Sequence, residues 1–239
     1  NNVCVDYSDN NRGATLIDLI LLIYPDLSVR DIVKKFNEGV FSFHQLPVSL
    51  INQETSFTDS LEIIQEDDIQ NHEKLCYYLA YDRSIDVSIA QRYLKAYQYK
   101  VNGKLFWNLG VKNHLDGFNL FSKRFKYATQ QGVTLFTNSN TTIRIYFEGI
   151  MDFLSFLMIY PDQEKRNDYC ILNSVNNLKK TLTVHPLKQT TIAFFDNDSA
   201  GDRATNLLKT ESLNQKSTFY DYRPTFQGKD LNDYLIGNY

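Results

Sequence analysis

The stretch Ile192-Ala193-Phe194-Phe195-Asp196-Asn197-Asp198-Ser199-Ala200-Gly201-Asp202-Arg203 sets the reading of the whole chain. An apolar run, Ile192 to Phe195, ends on two carboxylates spaced one residue apart, followed by a small-residue turn and the start of a helix. A short apolar run bounded by turn residues suits a buried strand of a parallel sheet. Ligands of such sheets bind beyond the carboxyl ends of the strands, where Asp196 and Asp198 fall. Two residues apart in an extended segment, they share a face. A divalent cation relieves the repulsion between them. A helix N-cap inside a solvated acidic turn explains the same residues equally well. The surroundings must choose.

Outward from that turn, strands and helices alternate from about residue 141, the mark of an α/β domain. Strand one is Ile143 to Phe147 and ends at Glu148-Gly149. A helix follows from about Ile150 to Tyr160. Strand two runs from Tyr169 to Leu172, strand three is Thr191 to Phe195, and a helix covers Ala200 to about Leu213. Strand four spans about Ser217 to Tyr222, and Gly228-Lys229-Asp230-Leu231-Asn232-Asp233 closes the pattern. Glu148, the Asp196/Asp198 pair and Asp230 thus follow three strands of one sheet. Acidic strand ends that share a crevice make an oxygen-donor site suited to Mg²⁺. Such a site keeps waters and substrate phosphates, so the expected partner bears phosphate.

Upstream, residues 69–138 read as a smaller α+β unit. Helices are expected at Asn71–Tyr81 and Asp86–Tyr97, then strands at Leu105–Val111, Gly117–Phe121 and Val133–Phe136. Asn102-Gly103 marks a tight hairpin. Between Arg92 and Lys126 eight basic residues face one acid, Asp116, a net of +7, although the whole chain carries −3. The basic residues interleave with aromatics, from Tyr93 to Tyr127. That mixture suits single-stranded nucleic acid; a wet outer sheet face produces the same pattern. Residues 41–68 read as a polar linker with a short strand at Leu61–Ile64. Residues 1–40 hold a strand at Val3–Tyr7, a turn from Ser8 to Gly13, a helix over Thr15–Ile23 and a second helix over Val29–Phe36 capped by Ser28.

Three cysteines, Cys4, Cys76 and Cys170, lie far apart and show no metal or disulfide spacing, so no zinc is expected within this chain and a reducing, cytoplasmic setting is. The longest apolar run, Leu19 to Tyr24, is too short to cross a membrane. His44, His72, His114 and His185 are scattered, and none is assigned a catalytic role.

Phe147-Glu148-Gly149-Ile150-Met151-Asp152 together with Asp196-Asn197-Asp198-Ser199-Ala200-Gly201 resembles the Toprim domain shared by primases, topoisomerases and some nucleases. The first motif is most similar to bacterial primases, and Gly228-Lys229-Asp230 resembles their third acidic motif. Tyr78-Leu79-Ala80-Tyr81-Asp82-Arg83-Ser84-Ile85 looks like the primases' Tyr-Leu-x-x-Arg-Gly-Ile helix. Gly117 to Lys126 resembles their basic strand region. Asp6-Tyr7, Gly13-Ala14 and Ile17-Asp18-Leu19 look like the tail of a primase zinc-ribbon domain, truncated before Asn1 or without its metal. The resemblance covers most of the chain and is nearest to short primase-like Toprim proteins of mobilisable and conjugative elements of the Bacteroides group. Where primases show Asp-x-Asp in the third motif, this chain has Asp230-Leu231-Asn232-Asp233, which leaves Asn232 or Asp233 as the occupant of the second acidic place.

The resemblance implies an α/β plus α+β chain. Its C-terminal part, 139–239, would be a Toprim domain with a four-stranded, mainly parallel sheet and flanking helices, preceded by a primase-type subdomain over 69–138. It implies primer synthesis on single-stranded DNA from nucleoside triphosphates, with a helicase or relaxase of the same element as further partner. Glu148, Asp196, Asp198 and Asp230 would be catalytic and would hold Mg²⁺ or Mn²⁺, joined by Asp152 and Asp233. Arg83, Lys104, Lys123, Arg124 and Lys126 would contact template or nucleotide phosphates, with Gly149 and Gly201 shaping the turns. A Toprim nuclease and a catalytically idle DNA-binding accessory remain open beside this reading. A topoisomerase does not, because 239 residues leave no room for its gate.

Overall fold

The computed structural model describes residues 3–6, 12–15, 20, 28–32, 61–101, 103–123, 125–138 and 140–237. Contacts divide the chain into two units, Asn1–Phe57 and Thr58–Tyr239. In the first, β1 (Val3–Asp6) pairs antiparallel with β2 (Arg12–Thr15), so Arg12 to Thr15, expected as turn and helix start, are strand. Residues 29–32 are helical. The Ser28 hydroxyl accepts the Asp31 N–H at 3.2 Å and the Asp31 carboxylate accepts the Ser28 N–H at 3.0 Å, a reciprocal cap. The helix expected at Thr15–Ile23 falls mostly outside the described residues.

The second unit holds two five-stranded sheets. The first is antiparallel throughout: β3 (Glu62–Asp67), β4 (Lys95–Val101), β5 (Lys104–Lys112), β6 (Phe118–Ser122) and β7 (Phe125–Ala128), in that spatial order. The strand expected at Leu61–Ile64 reaches Asp67 and edges this sheet. Before β4 the chain makes α1 (Glu73–Tyr77), one π-helical turn at Tyr78–Asp82, and α2 (Val87–Ala90). The helix expected over Asp86–Tyr97 is therefore four residues long. Tyr97, Tyr99 and Val101 alternate in a run rich in β-formers, and pairing with β5 turns that run into strand. Val101 opposite Lys104, with Gly103 at φ +75°, closes the expected hairpin.

The second sheet takes β8 (Thr134–Phe136), β9 (Ile143–Phe147), β10 (Asp168–Ile171), β11 (Thr190–Phe194) and β12 (Thr218–Asp221) in the order β12-β11-β9-β10-β8. Four strands are parallel and β8 runs antiparallel at the edge. The four-stranded parallel expectation thus holds, with an added strand that the sequence had grouped with the upstream unit. Around it lie α3 (Ile150–Ile159), α4 (Asn177–Val184), α5 (Ser199–Asn214) and α6 (Leu231–Ile236).

Alternation along the strands sorts the core. Ile145, Phe147, Tyr169, Ile171 and Phe194 face one side, packing with α3 residues Phe153 and Leu157 and with Ile69, Leu79 and Leu109 of the first sheet's layer. Tyr146, Cys170, Leu172, Ala193 and Phe195 face the other, under α4 and α5. One apolar cluster therefore joins the two sheets through α3. It fixes a cleft between β6–β7 and the carboxyl ends of β9, β10 and β11.

Candidate active site

A cavity of 750 Å³ opens in that cleft. Glu148, Gly149, Asp152, Asp196, Lys229 and Asp230 line it from the parallel sheet; Arg83, Asn119, Phe125, Lys126 and Tyr127 line it from the other side.

The carboxylates are held by helix starts. Asp198 precedes α5, and its Oδ1 accepts the Ala200 and Gly201 N–H groups at 2.9 and 3.0 Å. Asp230 precedes α6, and its Oδ1 accepts the Asp233 N–H at 2.7 Å. Asp152 lies in the first turn of α3, and its Oδ2 accepts the Gly149 N–H at 3.2 Å. Each therefore caps a helix with one oxygen and keeps the second for other use. Asp198 Oδ2 lies 3.7 Å from Lys229 Nζ. Asp152 Oδ1 and Glu148 Oε2 are buried without any hydrogen-bond partner. Cap and ligand, posed as alternatives by the sequence, are thus compatible: one oxygen caps and the other is left over.

Asn197 ties the two acidic turns together. Its N–H donates to the Lys229 carbonyl at 2.5 Å and its amide to the Gly228 carbonyl at 3.0 Å. Gly201 is required by the same closeness, since a Cβ there would overlap the Asp196 carbonyl oxygen. A Cβ at 149 would press on the Asp152 carboxylate at 3.1 Å.

The electrostatics follow from this crowding. Burial, then Asp196 and Asp198, pushes the Glu148 carboxyl up to about 7. Burial, with Asp230 and Asp196 beside it, holds Asp152 well above the ordinary range. Asp196 is raised by burial and by Asp230, against Lys229, which stands 3.4 Å from it. Asp198 is lowered, first by the Gly201 N–H. Among the described residues no three acidic, His or Cys side chains converge closely enough to hold a metal by themselves. The donor set still fits Mg²⁺. All its donors are hard oxygens, two of them are orphaned, and that ion needs only one or two carboxylates beside water and phosphate.

Not every expected residue reaches the cleft. Asp198 and Gly201, farther along the Asp196 turn, do not line it. Asp233 does not line it either, and Asn232 is buried at 1% exposure with its side chain turned to Arg83 and Ser155. Neither completes an Asp-x-Asp pair in the cavity. Lys104 sits at the β4–β5 hairpin and lines no part of the cavity. Lys123 does not line it either and pairs with Asp82 at 3.1 Å. Arg92 and Lys95 are likewise paired, with Glu164 and Asp68, so much of the +7 window is neutralised locally. Tyr97, Tyr99, Leu120, Phe118 and Phe125 pack in a small core of their own, as expected of an ordinary half-buried sheet. Arg124 lies outside the described residues. Lys126 and Arg83 are the expected cations that line the cavity.

Sequence reasoning missed Lys229 and Asn197 as site residues, although both sit inside the acidic motifs. It also missed Asn119, whose buried Nδ2 has no partner, and the polar wall of Asn173, Ser174, Asn176 and Asn177 after β10. The Asn-rich run before α4 was the available signal.

Residues 145–235 match the family described as Toprim-like, and residues 63–130 match a domain of unknown function, DUF8464. The chain thus carries a C-terminal Toprim-like domain, as its motifs implied. Among solved structures, the primase fragment of the bacteriophage T7 primase-helicase protein is 17% identical, with a TM-score of 0.49 over 66% of this chain and 68% of that one. The zinc-binding and RNA polymerase domains of the Aquifex aeolicus primase are 13% identical, with a TM-score of 0.48 over 94% of this chain and 68% of that one. No curated protein matches the sequence.

Proposed function

We propose that this chain is a primase-like nucleotidyltransferase that joins nucleotides on a single-stranded DNA template. The observation that carries the reading is the two-sided cleft, with carboxylates of the Toprim-like domain on one wall and Arg83 and Lys126 on the other. That pairing suits a cation–triphosphate complex, and 750 Å³ is room for a nucleotide. The primase-like motifs at Tyr78–Ile85 and Phe147–Asp152 favour synthesis over hydrolysis.

In this reading Asp196, Asp198 and Asp230 would hold Mg²⁺ or Mn²⁺, joined by the orphaned oxygen of Asp152, and Glu148 is kept for proton transfer. The ion, when bound, neutralises the triphosphate and aligns the attacking hydroxyl. Glu148, with its carboxyl pushed up to about 7, accepts the proton from that hydroxyl as the hydroxyl oxygen bonds to the α-phosphorus and the bond to the leaving pyrophosphate breaks. Arg83 and Lys126 bind phosphate oxygens, and the Phe125 and Tyr127 rings border the path of the template. The antiparallel sheet, β3 to β7, handles the template and the parallel sheet with its helices, from β8 onward, the chemistry; residues 1–40 resemble the tail of a zinc-ribbon domain, and the stretch from 41 to β3 tethers it. A cytoplasmic setting, a mobile-element context and a helicase or relaxase partner belong to the same proposal. Among the described residues no helix is long and apolar enough to cross a membrane.

The test is incubation with single-stranded template, Mg²⁺ or Mn²⁺ and labelled nucleotides, alongside Asp196→Ala. Template-dependent oligomers, reduced on the order of 10²-fold or more in the variant, are expected. Shortened template without synthesis would indicate a nuclease. DNA retention without turnover, unchanged by the substitution, would indicate an accessory binder.

A further inference from the structure

The third acidic motif departs from Asp-x-Asp at Asn232, and the side chain's surroundings explain why. Asn232 Oδ1 accepts from Arg83 Nη1 at 3.1 Å. Its Nδ2 donates to the Arg83 carbonyl at 2.9 Å and to Ser155 Oγ at 2.9 Å. Ser155 in turn donates to the Met151 carbonyl at 2.8 Å, within α3. Arg83 Nε donates to the Tyr78 hydroxyl at 3.0 Å, and the guanidinium lies over the Tyr78 ring. Neither Arg83 bond uses Nη2, and Arg83 lines the cavity.

We infer that Asn232 is a positioning residue: it grips both the side chain and the main chain of Arg83, and so aims the guanidinium at an anionic, phosphate-bearing substrate in the cleft. An aspartate cannot replace it. A carboxylate would still take the Arg83 donor, but its second oxygen would face the Arg83 carbonyl, acceptor against acceptor. An amide is the one short side chain that gives an acceptor to the guanidinium and donors to the carbonyl and to Ser155. The buried site demands all three, because an unmet polar group there is costly. Asn232 is thus no worn-down metal ligand. It also joins the first sheet's helical layer to α3 and α6, so the cationic and acidic walls keep their spacing. This inference rests on the cleft being a phosphate site, as proposed above.

The experiment measures Mn²⁺ binding and Mg²⁺-ATP binding by calorimetry on the full chain, for wild type, Arg83→Ala, Asn232→Ala, Asn232→Asp, Ser155→Ala and Arg83→Ala/Asn232→Ala. Asn232→Ala is expected to weaken ATP binding about tenfold, close to the loss in Arg83→Ala, with no further loss in the double variant. Ser155→Ala, which touches neither Arg83 nor the cavity, shows a smaller loss in the same direction and keeps the test alive should Asn232→Ala fail to fold. Asn232→Asp shows no gain in Mn²⁺ affinity. A several-fold gain there, or additive losses in the double variant, would overturn the inference. Mn²⁺ and ATP binding without primer synthesis would tell against the primase reading alone, whereas wild-type protein that binds neither would overturn both.

Discussion

Asp198 and Asp230 have the same backbone, φ −138° and ψ 177° against φ −139° and ψ 177°, and each caps the helix that follows. The two turns nevertheless do different work. After Asp198 the helix presses against the strand end, leaving room only for Gly201, and the free oxygen looks toward Lys229 and Asp196. After Asp230 the corresponding position is Asp233, a residue with a full side chain, and the one before it is Asn232, turned to Arg83. Both turns bring a carboxylate to the cleft, Asp196 in one and Asp230 in the other, but only the second also grips Arg83, through Asn232. Acid spacing alone therefore does not fix which carboxylates face the cleft. Which way each helix leaves its cap does.

The largest effect expected from breaking this contrast is on stability. Gly201→Ala forces a methyl into the Asp196 carbonyl. It should cost about 1–3 kcal/mol, a fall in Tm of about 2–10 °C, whereas Asp233→Ala at the matching position should stay within about 0.5 kcal/mol. Thermal melts of both variants check this, and equal losses would erase the distinction between the turns.

A smaller effect concerns pH. Glu148 titrates at about 7 in the folded protein against an ordinary 4.5, so the folded state holds this proton more tightly than the unfolded chain does. Its contribution to stability is fully present below about pH 4.5 and is lost as pH rises through about 7. In EDTA, wild-type Tm should therefore fall across that window more than the Tm of Glu148→Gln. Parallel Tm–pH curves would show that the crowding at the first turn does not reach Glu148.

How much of this was legible in the sequence differs between the halves. The parallel strands β9 to β11, the helices α3 and α5 and the acids at the strand ends stood out, because apolar runs and caps are local signals. In the upstream unit the helix expected through Tyr97 was overruled by the pairing of Tyr97, Tyr99 and Val101 with β5, a partner beyond the hairpin that no local pattern reveals. The basic window was legible as charge but not as site, because Lys123, Arg92 and Lys95 find acids distant in sequence. Asn232 looked like a lost ligand for the same reason: its partners, Arg83 and Ser155, are 149 and 77 residues away.

In the proposed site Asp152, Asp198 and Asp230 each give one oxygen to a helix cap and keep the other for a cation. Asp198→Asn separates the two roles, since Asn caps as well as Asp but removes the charge beside Asp196. Mn²⁺ binding followed by electron paramagnetic resonance, with a thermal melt of the same samples, measures both at once. The prediction is a Tm near wild type in Asp198→Asn, a loss of about 1 kcal/mol in Asp198→Ala, and Mn²⁺ affinity reduced about tenfold or more in both. Wild-type Mn²⁺ affinity in Asp198→Asn, or a melt as damaged as that of Asp198→Ala, would contradict it.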